Sequence, residues 1–173
     1  MIRKQKGFSL IELLIVVAII LIISAIAVPN LIRAKIAANQ SSAAASLRTL
    51  DSAATAYSNT YDDGYPGSLA VLAPSSPPTC NLAGMIDPVL ASGQKSGYQF
   101  AWQPGAIPVT TVPPGCAVAG YSDMFAATAT PFGFPTGTTY YCVDATGVIR
   151  HDVAVITPTT AGCPASAQPI GED

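Results

Sequence analysis

The sequence predicts an α+β fold in which one long, kinked N-terminal helix packs on a small antiparallel β-sheet. Three observations lead to this prediction. An apolar segment, residues 10–28, is followed by a stretch with helical periodicity that runs to about residue 59. From residue 60 onward, short strand-like segments alternate with turns rich in glycine and proline. All four cysteines lie in this second region.

The first half of the predicted helix is long and apolar enough to cross a membrane. Residues 10–28 span about 28 Å as an α-helix, close to the thickness of a hydrocarbon core. Glu12 is the only charged residue in this segment, and Ser24 is the only other polar one. Pro29 follows at once, and a proline inside a helix removes a backbone hydrogen bond and clashes with the preceding turn. We therefore expect a kink or local melting of the helix at Pro29.

The second half, residues 30–59, has an apolar stripe on one face. Its members recur at intervals of three, four or seven residues, as helical periodicity requires: Ile32, Ile36, Ala43, Leu47, Leu50, Ala54 and Tyr57. A stripe of this kind needs a surface to cover it. We expect that surface to be an antiparallel sheet of three or four strands.

The pattern of residues 60–173 predicts a globular domain that contains this sheet. The strand candidates are residues 98–102, residues 139–143 and, more weakly, residues 124–129. Residues 139–151 predict a β-hairpin with Gly147 in the left-handed position of its turn. The tail beyond residue 157 is rich in proline and threonine and has little strand character.

Charge is distributed unevenly along the chain. Residues 1–50 contain six basic groups and one acidic group, a net charge of +5, whereas residues 51–173 contain two basic and nine acidic groups, a net charge of −7. The asymmetry is typical of a segment whose basic end stays in the cytoplasm while an acidic domain is exported. The acidic domain lacks the basic patch that non-specific nucleic-acid binding requires, so no nucleic-acid partner is expected.

The cysteines favour two disulfides in an oxidising compartment. Their number is even, they lie in the region expected to be exported, and no Cys-x-x-Cys pair accompanies the single histidine. Four cysteines allow three pairings. Chain order favours Cys80 with Cys116 and Cys142 with Cys163, the second of which would fasten the tail to the last hairpin.

No set of residues predicts catalysis, a cofactor or a metal site. His151 and Asp152 are half of a catalytic pair at most, because no activated nucleophile motif accompanies them, and His151 is expected at a strand end on the surface. The Asp62-Asp63-Gly64 sequence lacks the spaced ligands of a calcium loop and predicts a turn. Trp102 is expected to pack in the core. We therefore predict a protein that is not an enzyme.

One motif is far more specific than the rest. Gly7-Phe8-Ser9-Leu10-Ile11-Glu12-Leu13 follows a short basic leader (Arg3, Lys4 and Lys6) and precedes Pro29. These residues resemble the N-terminus of type IV pilins and of the related pseudopilins of type II secretion. The strong resemblance covers roughly residues 3–30, and the rest of the chain suits the pilin fold only in outline.

The resemblance implies a role for each residue of the motif. Gly7 would precede the bond cut by prepilin peptidase, and Phe8 would become the N-methylated first residue of the mature chain. Glu12 would occupy the position at which the family keeps an assembly glutamate, and Pro29 the position at which many pilins bend. The implied division is a leader (residues 1–7), a transmembrane and filament-core half of the helix (8–29), an amphipathic half (30–59) and a disulfide-bonded head (60–173).

Physical chemistry supports these roles independently. Cleavage after Gly7 would remove three positive charges and create an α-amine at Phe8, four residues from Glu12. In a filament, that amine could pair with Glu12 of a neighbouring copy and set the axial register. Removing one partner of a buried ion pair costs about 3–5 kcal/mol, so misregistered copies would be penalised.

Two other interpretations of the N-terminus are weaker. Ala25-Ile26-Ala27 is compatible with signal-peptidase cleavage, but the apolar segment is longer than the usual 7–15 residues and contains a charge. A plain membrane anchor leaves the motif itself unexplained.

The functional prediction is a structural subunit of a type IV pilus, stored in the bacterial inner membrane and then displayed outside the cell. Its partners would be other copies of itself, prepilin peptidase, and the inner-membrane assembly platform with its ATPase. A pseudopilin, or a minor pilin that binds DNA or a surface, is the alternative.

Overall fold

A computed structural model of the chain describes residues 7–61, 64–106, 115–116 and 121–171. In this part of the chain the elements are helix α1 (Leu10–Tyr61), strand β1 (Tyr65–Pro66), a 3₁₀ turn (Leu69–Leu72), helix α2 (Pro88–Ala91), and strands β2 (Gln94–Lys95), β3 (Tyr98–Pro104), β4 (Tyr121–Ser122), β5 (Phe125–Pro131), β6 (Tyr140–Asp144), β7 (Arg150–Asp152) and β8 (Gln168–Pro169). The boundary between two compact units falls inside α1, between Lys35 and Ile36.

Helix α1 confirms the predicted long helix, with both ends within about two residues of the expected positions. It is unbroken at Pro29, so the chain does not melt there, and a bend at this residue stays a prediction.

The sheet is larger than the three or four strands expected. Six antiparallel strands follow the order β2-β3-β5-β6-β7-β8, and β1 and β4 form a separate pair. The long central pairing aligns Tyr98 with Pro131 at one end and Pro104 with Phe125 at the other. The additional strands, β2 and β8, have only two residues each, too few to show an alternating pattern in the sequence.

The helix stripe covers one face of this sheet. Ala43, Leu47, Leu50, Ala54 and Tyr57 are each at most 1% exposed. They share a core with the inward-facing residues of β3, β5 and β6, namely Tyr98, Phe100, Phe125, Ala127, Ala129, Tyr141 and Val143. The predicted stripe is therefore confirmed from Ala43 onward, whereas Ile32 and Ile36 are only half-buried.

Strand β5 is buried along almost its whole length because both faces of the sheet are covered there. Ala127 and Ala129 face α1, and Ala126 belongs to a second cluster with Cys142, Ile156 and Ala167. The tail beyond β7 supplies Ile156 and Ala167. A strand covered on both faces does not alternate between apolar and polar residues, which explains its weak sequence signal.

Both predicted disulfides are present. Cys80 pairs with Cys116 and Cys142 with Cys163, at Cα–Cα separations of 5.6 Å and 6.0 Å. They close loops of 36 and 21 residues. On the chain-entropy account, each such loop is worth about 3–4 kcal/mol of stability. The second disulfide attaches the tail to β6, as the sequence predicts.

A buried carboxylate reinforces this attachment of the tail. Asp144 accepts hydrogen bonds from the Thr146 amide (3.0 Å) and hydroxyl (2.6 Å) in the β6–β7 turn, and from the Cys163 amide (2.9 Å) in the tail. Its backbone carbonyl accepts the Gly147 amide at 2.9 Å, and Gly147 has the predicted positive φ of 72°. Asp144 therefore joins the hairpin turn to the residue that forms the disulfide.

The surroundings of Asp144 favour its charged form. Burial raises the pKa of this carboxyl, but the hydrogen bonds from Thr146 and Cys163 and the nearby Arg150 guanidinium outweigh burial and hold the pKa below its ordinary value of 3.8. A carboxyl whose pKa is lower in the folded state stabilises the fold above its unfolded pKa. That contribution is lost as the pH falls through the folded-state pKa.

We expect Asp144→Asn to lower the free energy of unfolding by about 1–3 kcal/mol near neutral pH, because the amide cannot accept both sets of hydrogen bonds. The difference from the unsubstituted chain should shrink as the pH falls below the ordinary carboxyl pKa of 3.8 and its own carboxyl becomes protonated. Thermal unfolding of the full chain in detergent, followed from neutral to acidic pH, measures this. Asp123→Asn, which alters an exposed carboxylate, is the control. Equal stability of the two variants near neutral pH contradicts the assignment.

Candidate processing and assembly site

The two residues of the predicted cleavage site are open to solvent. Gly7 and Phe8 precede α1 without regular secondary structure, and the Phe8 side chain is 78% exposed. A Cβ placed on Gly7 would have no neighbour within 4 Å. An approaching peptidase would therefore meet no steric obstacle from the described part of the chain at this bond. The basic leader, residues 1–6, lies outside the described residues.

The motif also begins the helix. The Ser9 amide donates a hydrogen bond to Glu12 Oε2 at 2.9 Å, and the Ser9 carbonyl accepts the Leu13 amide at 3.2 Å. This is the glutamate arm of a capping box, in which the third helical residue reaches back to the residue before the helix. It satisfies one of the backbone amides that a helix N-terminus leaves without an intrahelical partner.

This capping role of Glu12 is absent from the sequence predictions, although its signal is in the sequence. Ser9-Leu10-Ile11-Glu12 fits the pattern Ser-x-x-Glu that precedes an apolar helix. The cap and the predicted assembly role are compatible. A carboxylate can accept about four hydrogen bonds, and the cap is one of them, so acceptor positions remain for a second partner. Positive charge at the helix N-terminus also favours the carboxylate there.

The helix beyond the cap has an apolar surface that the single chain leaves uncovered. All sixteen Leu, Ile, Val and Phe side chains from residue 8 to residue 31 are between 46% and 80% exposed. The most apolar 18-residue window of α1 has a mean hydropathy of 3.1, and none of it is buried. By length and composition this segment is able to cross a membrane.

The remaining sequence candidates do not combine into a second site. His151 and Asp152 are consecutive in β7, so their side chains point to opposite faces of the sheet. His151 is half-buried within the strand rather than at its end. Asp62 and Asp63 lie outside the described residues. Trp102 packs in the core as predicted: its ring stacks on Phe125 with centroids 4.7 Å apart.

Within residues 7–61, 64–106, 115–116 and 121–171, no three His, Cys, Asp or Glu side chains are grouped so that they could bind a metal ion.

We expect Glu12→Ala to weaken the first turn of α1 by about 1 kcal/mol, the typical value of a lost cap. The exchange rate of the Ser9 amide with solvent should rise about five-fold, since RT ln 5 is close to that value. Amide hydrogen exchange by NMR in detergent micelles measures it. Glu12→Gln is the matched control, because glutamine also closes a capping box. A similar rise in Glu12→Gln would show that charge, and not the cap, protects the amide.

Comparison with known proteins agrees with the N-terminal geometry. Residues 2–28 match the family model described as a prokaryotic N-terminal methylation motif. The chain is also 60% identical over 37 residues to the type IV wide pilus major component PilA4 of Thermus thermophilus. This alignment covers 21% of the chain and 28% of the relative. The chain thus matches little more than a quarter of that protein's length. No solved structure gives a significant match.

The family model matches only the part of the chain that contains Gly7, Phe8 and Glu12. The alignment with the pilus component covers a similarly short stretch. The fold adds an independent observation, because a long N-terminal helix packed on a small antiparallel sheet is the pilin arrangement expected from the sequence. The methylation motif and the similarity to a major pilus component thus support a resemblance to type IV pilins that is carried by a short part of the chain, and the α+β fold is consistent with it.

Proposed function

We propose that the chain is a structural subunit of a type IV pilus filament. The observation that carries the proposal is the exposed apolar surface of residues 8–31, attached through one continuous helix to a disulfide-bonded head. Such a surface must be covered by lipid or by other apolar helices. In the inner membrane the lipid covers it, and in the filament other copies of the same helix do.

The N-terminal residues support processing between these two states. Prepilin peptidase cuts after the unobstructed Gly7, and Phe8 becomes the methylated N-terminus. The cut removes the charges of Arg3, Lys4 and Lys6 from the end of the helix. Those charges hold the basic end at the cytoplasmic face, in agreement with the positive-inside rule. Their removal lowers the cost of moving the subunit out of the bilayer through the assembly platform and its ATPase.

Glu12 then acts as a register contact between subunits. Its carboxylate is exposed in the single chain and caps its own helix through one oxygen. The Phe8 amine of an incoming copy supplies the opposite charge. Inside an apolar bundle an unpaired carboxylate is costly, and loss of one partner costs about 3–5 kcal/mol. A subunit docked one turn too high or too low leaves both charges unpaired.

The head does not favour nucleic-acid binding. Lys95 and Arg150 are its basic residues beyond residue 50. Lys95 Nζ forms an ion pair with Asp87 at 3.0 Å, and Arg150 donates to the Ala167 carbonyl at 3.3 Å. Two basic residues, each already in contact with an acceptor, do not form the basic patch that nucleic-acid binding requires. A structural role is therefore preferred to a minor pilin that binds DNA. A pseudopilin shares the N-terminal chemistry, and the length of the filaments distinguishes it from a pilus subunit.

We expect Glu12→Gln to insert and be processed normally but to lower filament yield at least ten-fold. The amide keeps the helix cap but removes the charge, and a ten-fold loss corresponds to only about 1.4 kcal/mol, well below the cost of an unpaired charge. Electron microscopy and quantification of sheared filaments measure the yield, and membrane fractionation measures insertion. Ser24→Ala, which also removes a polar group from the apolar segment, is the control. Wild-type filament yield from Glu12→Gln would contradict the register contact.

We expect the filament subunit to begin with N-methylated Phe8. Mass spectrometry of purified filaments and N-terminal sequencing test this directly. A chain that begins at Val28, after Ala25-Ile26-Ala27, would show signal-peptidase cleavage. It would lack Glu12 and most of the apolar helix, and the filament proposal would be wrong.

A further inference from the structure

The sheet is wider than the helix that covers it. Neighbouring strands lie about 4.8 Å apart, so six strands span about 24 Å, whereas a helix with its side chains is about 10–12 Å wide. The buried residues of α1 share their core with residues of β3, β5 and β6. Strands β7 and β8 continue the sheet beyond β6. On this face of the sheet they therefore lie beside α1 and not beneath it.

A groove of about 440 Å³ lies between α1 and this uncovered part of the sheet. Tyr141 in β6 faces the helix, and its cross-strand partner His151 in β7 points to the same face. The groove lies entirely within the unit that begins at Ile36, and its volume is typical of a protein ligand site. Its lining includes residues of the helix and residues of the sheet, namely Gln40, Ala44 and Arg48, and Thr139, Tyr141 and His151.

Hydrogen bonds fix the shape of the groove at one end. Gln40 Nε2 donates to Thr138 Oγ1 and to Thr139 Oγ1, at 3.0 Å each. One turn of chain earlier, Asn39 Nδ2 donates to the Thr136 carbonyl at 2.8 Å. The helix is thus attached to the segment that leads into β6. The groove exists before a ligand binds, which lowers the entropic cost of binding.

Arg48 gives the groove a positive charge. The residue is exposed, and the ion pair found among the described residues joins Lys95 to Asp87, so Arg48 has no counter-ion in that part of the chain. Asp51 lies on the side of Arg48 away from Gln40 and lines the continuation of the groove. A guanidinium binds a carboxylate through two parallel hydrogen bonds. The groove therefore suits a ligand with an exposed carboxylate, placed between Gln40 and Arg48.

The head of a second copy carries the complementary charge. Residues 51–173 contain nine acidic and two basic groups, so two heads repel each other unless their contact pairs opposite charges. Asp87 is already paired with Lys95, and Asp144 is buried. Asp51 and Asp152 are half-buried. Among the described carboxylates of this region, Asp123 is the one that is exposed and has no cationic partner.

Asp123 and the groove lie on different parts of the head. Asp123 is between β4 and β5, and β6 separates β5 from β7. A contact that joins two different surfaces of identical copies is heterologous, and such contacts build helical filaments when they do not close into a ring. A contact between Asp123 and the groove of the next copy is of this kind.

We propose that the groove is a docking site for the head of a neighbouring copy, in which Arg48 of one copy pairs with Asp123 of the next. The inference rests on the filament proposed above. The contact gives the heads a register of their own, in addition to the one that Glu12 sets between the helices. It also brings two acidic heads together through opposite charges.

Reversal of the two charges tests the pairing. Arg48→Glu and Asp123→Arg should each lower the yield of sheared filaments about ten-fold, because each variant places like charges against each other. The double variant exchanges the charges and should recover to within about two-fold of the unsubstituted yield. Arg33→Glu, which reverses an exposed cation of α1 outside the groove, is the matched control. Its combination with Asp123→Arg should stay at the low yield of Asp123→Arg. Failure of the exchanged pair to recover, or an unchanged yield in either single variant, overturns the pairing.

Photo-cross-linking identifies what occupies the groove. A benzophenone amino acid replaces Ala45, an exposed residue of the groove. Irradiated filaments should give a dimer whose cross-link maps by mass spectrometry to the segment that contains Asp123, and the subunit in detergent before assembly should give none. Filaments without this cross-link, or cross-linked through another segment or another protein, overturn the docking site and leave the filament proposal standing. If the unsubstituted chain forms no filaments, the proposed function is wrong as well.

Discussion

The constraint on which this chain depends is the apolar surface of residues 8–31. Sixteen large apolar side chains are between 46% and 80% exposed in the single chain. At about 1 kcal/mol for the exposed part of each, covering them is worth as much as the entire 5–15 kcal/mol stability of a typical domain. Such a segment needs contact with lipid or with other apolar helices. The proposed membrane storage and the proposed filament assembly are two solutions to this one requirement.

Glu12 is compatible with both proposed solutions because it caps its own helix and keeps acceptor positions for the proposed contact with a neighbouring copy. In the single chain it accepts the Ser9 amide, so the carboxylate has a partner within its own turn. The helix N-terminus also supplies favourable positive charge. These contributions reduce the cost of storing a carboxylate near the membrane. They leave acceptor positions for an amine, so an incoming copy can add its charge without first dismantling the cap.

Sequence patterns predicted the elements that are buried on one face and exposed on the other. The stripe from Ala43 to Tyr57 has one buried face, so its periodicity is visible, and β3 alternates for the same reason. β5 was harder to recognise because the helix covers one face and the tail covers the other. The two-residue strands β2 and β8 are defined only by their pairing with neighbouring strands. Two residues are too few to show the alternation of apolar and polar side chains by which a strand is predicted.

The roles of Gly7, Phe8 and Glu12 at the candidate site were predicted from the resemblance to type IV pilins. The two cysteine pairs of the head were predicted from chain order. The cap has its own sequence signal, Ser-x-x-Glu, which is separate from the charge of Glu12 within an apolar segment. The turn role of Asp144 agrees with the predicted hairpin, because its side chain accepts the Thr146 amide two residues later. Its contact with the tail gave no sequence signal, because that hydrogen bond comes from the Cys163 amide, nineteen residues later. Contacts of this kind depend on how a tail folds back, which local patterns do not encode.

The position of the buried helix residues explains how one helix serves two units. Every fully buried residue of α1 lies at Ala43 or beyond. The head core therefore needs only the second half of the helix, and the first half contributes no buried residue to it. Since the helix is continuous through Pro29, the two halves remain one covalent and hydrogen-bonded element. The proposed assembly would therefore change the surroundings of residues 8–31 without breaking a core contact of the buried helix residues from Ala43 onward.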